Sequence, residues 1–142
     1  MSTDGDTRQS IIDAASTYLE ALVSHDASKI ALAENAWRTE EGRNSGIGAA
    51  DIRTRTESDQ MKLITDIRDV RWFVDGENAI AFYLLDASGA TTHIAERFRV
   101  IDGLIHEIEA IFHISMVPFQ NRWPIDENEV WTAENTPVDL TS

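Results

Sequence analysis

The chain has 142 residues and no cysteine. Disulfides, thiolate nucleophiles and cysteine-ligated metals are therefore excluded. Basic residues are scarce: 12 Lys and Arg stand against 25 Asp and Glu, a formal charge of -13. Phosphate backbones and anionic lipid surfaces need clustered cations, so neither nucleic acid nor membrane is an expected partner. No apolar run reaches the roughly 20 residues of a spanning helix. The opening MSTDGDTRQS lacks the apolar stretch of a signal peptide. A soluble cytoplasmic domain is the expectation. Proline is rare, and Pro118, Pro124 and Pro137 all fall late in the chain. The organisation expected is a flexible start at 1–6, one domain at 7–117, and an acidic, Pro-containing tail at 118–142. That tail reads as disordered or draped over a pocket, with Trp123 and Trp131 as its large aromatics.

What is present is periodicity. Asp6 or Thr7 can cap a helix running to about Ser24, with Ile11, Ala15, Tyr18 and Leu22 on one apolar stripe. A short helix is expected at 29–34, an extended piece at 36–39, a loop at 43–48, and a third helix at 49–63 that TRTESDQ can break in two. From Thr65 the period changes to two. Val70, Trp72 and Val74 alternate, then Ile80, Phe82 and Leu84 share a face of the next strand. Two long strands follow, joined at Ile101-Asp102-Gly103. Helices followed by a meander of short-turned strands define an α+β fold.

One residue breaks the pattern. Ile94, Phe98 and Val100 alternate onto one face, and Glu96 sits among them. A two-residue turn at Asp102-Gly103 would set Glu96 opposite Glu109, acid against acid. A three-residue loop instead sets Val100 opposite Leu104, Phe98 opposite His106 and Glu96 opposite Ile108, with Arg97 facing Glu107 outside. The second register satisfies both faces and is the one expected. Glu96 then points inward, where burial raises a carboxyl pKa. Two bland readings stand beside a functional one: Glu96 reaches water at the sheet edge, or it pairs structurally with an Arg. His106 joins the same row. Tyr18, the only polar tip on its helix stripe, reads equally as a core tyrosine or a pocket group. No histidines fall at metal-ligand spacing with a third ligand, so no metal and no cofactor is expected. Trp37, Trp72, Phe82, Phe98, Ile108 and Phe112 are the expected lining of an apolar cavity.

The segments Tyr18-Leu19-Glu20-Ala21-Leu22, His25-Asp26, LAENAWRTEEG from Leu32, and HIAERFRVIDGLIHEIEAIF resemble the nuclear transport factor 2-like superfamily, which includes SnoaL-like cyclases and ketosteroid isomerases. The resemblance spans about residues 18–114. It implies a cone-shaped α+β roll: a curved antiparallel sheet of four to six strands with about three N-terminal helices on its concave face. It also implies roles by position. Tyr18 resembles the helix tyrosine of ketosteroid isomerases, Glu40 their base, and Glu96 their protonated acid. Both acids are Glu where that family shows Asp, Glu41-Gly42 replaces its Asp-Pro, and Glu40 aligns only with a one-residue gap. The epoxide-hydrolase branch carries a last-strand Asp where this chain has Ala110, so epoxide hydrolysis is disfavoured. The expected catalytic set is Tyr18, Glu40, Glu96 and His106. The expected chemistry is isomerisation, cyclisation or dehydration of a steroid-, terpenoid- or polyketide-like molecule. The alternatives are a non-catalytic ligand-binding domain or an interaction domain. Ile105 and Ile111, expected on the outer sheet face, suggest homodimerisation there.

Overall fold

The computed structural model describes residues 5–114. The tail at 118–142 lies outside the described residues. Helix α1, Arg8–Ser24, starts at a capping box in which the Thr7 side chain accepts from Ser10 N and Ser10 Oγ accepts from Thr7 N. It stops where His25 turns left-handed at φ 64° and donates its N–H to the Ala21 carbonyl. Its buried stripe includes Ile11, Ala15, Tyr18 and Leu22, as the spacing predicts. Asp6, at the expected loose start, accepts from the backbone N–H groups of Asp102 and Gly103 at 2.7 and 2.9 Å.

Six strands follow: β1 Leu32–Glu40, β2 Arg43–Ile47, β3 Ile64–Asp75, β4 Asn78–Ala87, β5 Ala90–Ile101 and β6 Leu104–Ile114. They form one sheet in the order β2-β1-β6-β5-β4-β3. Every pairing is antiparallel except β1 with β6, which is parallel. Helix α2, Ala49–Thr56, packs on β1 and β2, while α1 packs on β3 through β6. The fold is the expected α+β roll, with two α-helices and two short 3₁₀ turns, Ala27–Lys29 and Met61–Leu63, where about three helices were expected. The first strands come earlier than expected. Residues 29–34 are not a helix and 43–48 are not a loop, because β1 lays its backbone against β6 and β2 pairs back onto β1. That long-range partner outweighs local propensity.

The register of the last hairpin is neither of the two weighed. Asp102 and Gly103, at φ 53° and 75°, make a two-residue turn with Ile101 facing Leu104. A bulge then inserts one residue on β6, so Phe98 faces Ile108 and Glu96 faces Ala110. The extra residue restores the parity that a three-residue loop would have supplied, and Glu96 points inward. His106 is the casualty. It is only partly buried, at the bulge between the fully buried Ile105 and Ile108, and does not share the row of Glu96. The same bulge turns Ile105 into the core, not onto the outer face, while Ile111 remains outside.

Candidate functional site

One transverse row of inward residues crosses four strands at a single level. Ala81 on β4 pairs with Glu96 on β5, Glu96 with Ala110 on β6, and Ala110 with Glu40 on β1. Two acids thus flank one alanine. Tyr18 descends onto this row from α1, and Tyr83 stands two residues along β4 from Ala81. Together they meet a cavity of about 310 Å³ lined by Tyr18, Glu40, Tyr83, Glu96, Ala110 and Phe112 and walled by Leu22, Met61, Ile64, Leu85 and Ile94. This is a small ligand-sized space with few polar groups in an apolar wall.

Glu96 is 3% exposed, and Tyr83 Oη donates to its Oε1 at 2.6 Å. Burial lifts the Glu96 pKa to about 7; the Tyr83 hydrogen bond and the Arg38 charge oppose the rise, and Glu40 adds to it. Near neutral pH this carboxyl is therefore a donor for much of the time. Burial, and then the charge of Glu96, raise both Tyr18 and Tyr83, so the two phenols keep their protons.

Behind Tyr18 lies a buried cation that sequence reasoning passed over. Arg38 is 3% exposed, and its Nη1 donates to Tyr18 Oη at 2.9 Å. Nη1 also donates to Thr56 Oγ1 at 3.2 Å, Nε to Ser45 Oγ at 3.0 Å, and Nη2 to the Ser45 carbonyl at 2.8 Å. The β1–β2 register shifts between Arg38 and Thr39, leaving Ser45 unpaired so that both its oxygens turn to the guanidinium. A charged side chain is rarely fully buried, so the strand pattern alone points Arg38 outward. The available signal was parity with Glu40, two residues on.

The structure thus brings Tyr18, Glu40, Glu96 and Phe112 to one cavity and separates the other expected residues from it. His106 is displaced by its bulge. Phe98 and Ile108 are fully buried in the core, and Trp72 packs on Phe98 at 6.1 Å between ring centroids. Trp37 faces outward because its neighbour Arg38 faces in. Phe82 is also outside, stacked near Phe73 at 5.4 Å with the Arg71 guanidinium over its ring. The inward face of β4 is Ala79, Ala81, Tyr83 and Leu85; Ile80, Phe82 and Leu84 alternate onto the other face, where Phe82 is exposed and Leu84 is buried. Small residues were the missed signal, since the concave face must leave room for α1 and a cavity. Among the described residues no three His, Asp or Glu gather as metal ligands, and no helix is long and apolar enough to cross a membrane.

This architecture is the fold of nuclear transport factor 2-like proteins of known structure. An NTF2-like protein of unknown function from Cytophaga hutchinsonii matches with a TM-score of 0.61 at 16% identity, over 72% of this chain and 89% of that one. A Kribbella flavida protein provisionally named a ketosteroid isomerase matches at 0.64 and 19% identity, over 90% and 95%. An LEH-like epoxide hydrolase from M. tuberculosis matches at 0.60 and 18%, over 74% and 84%. At these identities the likeness is one of fold. No curated protein matches the chain. The chain belongs to the family described as domain of unknown function DUF8021, whose model matches residues 4–112.

Proposed function

We propose that this protein is a small-molecule enzyme that moves a proton next to a carbonyl without a cofactor, in an isomerisation, cyclisation or dehydration. The observation that carries the reading is the pair of acids on either side of Ala110, one of them, Glu96, held close to neutral by burial. In this reading Glu40, as a carboxylate, takes a proton from the carbon beside the carbonyl. The C–H electron pair moves into the developing enolate, whose oxygen receives hydrogen bonds from Tyr18 and from neutral Glu96. Tyr83 holds Glu96 in place through the 2.6 Å hydrogen bond. Glu40 then returns the proton at a second carbon to complete an isomerisation, to the β-hydroxyl that leaves as water as the enolate collapses in a dehydration, or to the alkoxide formed when the enolate carbon adds to a second carbonyl in a cyclisation. The apolar wall supports a largely hydrocarbon substrate of terpenoid, polyketide or steroid type.

The test is deuterium wash-in. A panel of cyclic ketones and enones is incubated with the protein in D₂O and followed by NMR. The expected result is accelerated exchange at the carbon beside the carbonyl, lost in Glu40→Gln. No acceleration with any panel member, or exchange unchanged in Glu40→Gln, overturns the reading. Self-association through the outer sheet face belongs to the same proposal: Phe73, Phe82 and Ile111 are exposed there, and light scattering reads the mass directly.

A further inference from the structure

Arg38 is a buried charge whose hydrogen-bond partners are all neutral: one phenol, two alcohols and one carbonyl. Burying a guanidinium costs several kcal/mol unless another charge balances it. Three acids act on it: Glu40 and Glu96, which line the cavity, and Asp51 in the first turn of α2. Burial raises Glu96 to about 7, so it is protonated for part of the time near neutral pH. On its cavity side the cation therefore faces Glu40, the proton acceptor of the reading above, and Glu96, which is protonated for part of the time. If Glu40 takes a proton from a ligand, the total charge is unchanged, but the negative charge now sits on the ligand. Tyr18 is the group that connects ligand and cation. Its oxygen accepts from Arg38, so its own proton is directed away from the guanidinium and is available to the cavity that Tyr18 lines.

We propose that Arg38 makes this cavity a site for a single oxyanion, bound on the Tyr18 hydroxyl, and that Arg38 is the positioning residue that lets negative charge pass from Glu40 to the ligand. The ligand class is an enolate or a phenolate on an apolar ring, not a free carboxylic acid competing with a charged Glu40. The proposal rests on Glu40 as the proton acceptor, and it extends that reading by assigning the balancing charge. Arg38 is braced from two sides. Ser45 holds it from the β1–β2 bulge, and Thr56 holds it from the end of α2 while donating its own hydroxyl to the Ile52 carbonyl at 2.7 Å. Gly46 lets α2 approach this closely, since a Cβ there would stand 2.7 Å from Ile52 Cγ1.

The test uses a nitrophenol, whose absorption band distinguishes phenolate from phenol, titrated against purified full-length protein. Glu40→Gln removes the competing negative charge and is expected to bind the phenolate at least tenfold more tightly than the wild type. Adding Arg38→Met to Glu40→Gln is expected to remove that gain and return the bound probe to its neutral band. Adding Arg38→Lys is expected to keep most of it. Tyr18→Phe with Glu40→Gln leaves the buried cation in place but severs its link to the ligand, so a tenfold loss is expected there also. That variant carries the test if Arg38→Met does not fold. Phenolate binding that is equal in wild type and Glu40→Gln, undiminished by Tyr18→Phe or Arg38→Met, or absent from Glu40→Gln altogether, overturns the proposal. Deuterium wash-in is read separately: exchange without the phenolate preference leaves the proton-transfer reading standing and removes this one, whereas the phenolate preference without exchange removes the proton-transfer reading and leaves only the oxyanion site backed by Arg38.

Discussion

The two faces of the β5–β6 hairpin treat carboxylates in opposite ways. On the outer face, Glu107 and Glu109 meet Arg97, and Glu107 also meets Arg99, in a ladder of ion pairs between 2.9 and 3.1 Å. Burial pushes Glu107 up, but the hydrogen bonds from Arg97 and Arg99 outweigh it and leave its pKa below the ordinary value. On the inner face, Glu96 has one phenol as its hydrogen-bond partner, and its pKa rises. Glu96 and Arg97 are consecutive residues, so one step along the strand separates the two regimes. The outer pairs keep a solvated face in register, each contributing about 0–1 kcal/mol. The inner acid works against stability at neutral pH, and that is the kind of cost that persists where a site requires it.

The comparison can be broken or sharpened by substitution, and the largest effect is expected for catalysis. Glu40→Gln should lower the rate of deuterium wash-in by roughly 10²- to 10⁴-fold, the usual contribution of a general base. The wild-type rate should also fall as pH rises through about 7, because Glu96 is then losing the proton it donates; a rate that keeps rising to pH 9 removes Glu96 from the donor role.

Stability comes next. The folded pKa of Glu96, about 7, exceeds its ordinary value of 4.5, so the folded state binds more protons between these values and stability falls as pH rises through that window. Glu96→Gln removes this penalty. It should stabilise the protein by up to roughly 3 kcal/mol at pH 8 relative to its effect at pH 4, read by urea unfolding at the two pH values. A pH-independent difference would show that Glu96 titrates normally.

Glu107→Gln should act in the opposite sense and more weakly. A lowered carboxyl contributes stability above its unfolded pKa and loses it as pH falls through the folded one. The loss at pH 7 should stay within about 1 kcal/mol and shrink in 1 M salt. The smallest effect on the fold is expected for Phe82→Ser with Ile111→Ser on the outer face: unfolding should be nearly unchanged, while the mass by light scattering drops if that face joins two copies.

Much of this site was legible because strand geometry preserves parity. The inward direction of Glu96 follows from its spacing with Phe98 and Val100 on the same strand, whatever the turn, while the residues of β6 that face it depend on the register. The exact partners were not legible, because the bulge at His106 depends on how Ile105 and Ile108 both find the core. Tyr18 was visible as the polar interruption of an apolar helix stripe. Tyr83 was hidden by the habit of assigning the bulkier set, Ile80, Phe82 and Leu84, to the interior. The inward turn of Arg38 and the first half of β1 were hidden for a different reason. The backbone partner of β1 is β6, about seventy residues further along the chain, and no local pattern announces a parallel partner at that distance; the groups around Arg38 come from α1, β2 and α2.

The alanines that flank Glu96 carry a consequence for the space around it. Ala81 and Ala110 sit at the shoulders of the acid on the neighbouring strands. Neither bears a group that handles protons, and each sets the room beside the carboxyl by a single methyl. Ala110 lines the cavity and Ala81 is sealed in the core beside it, so a larger side chain at 110 would take up cavity space next to the carboxyl, while one at 81 would press on the core.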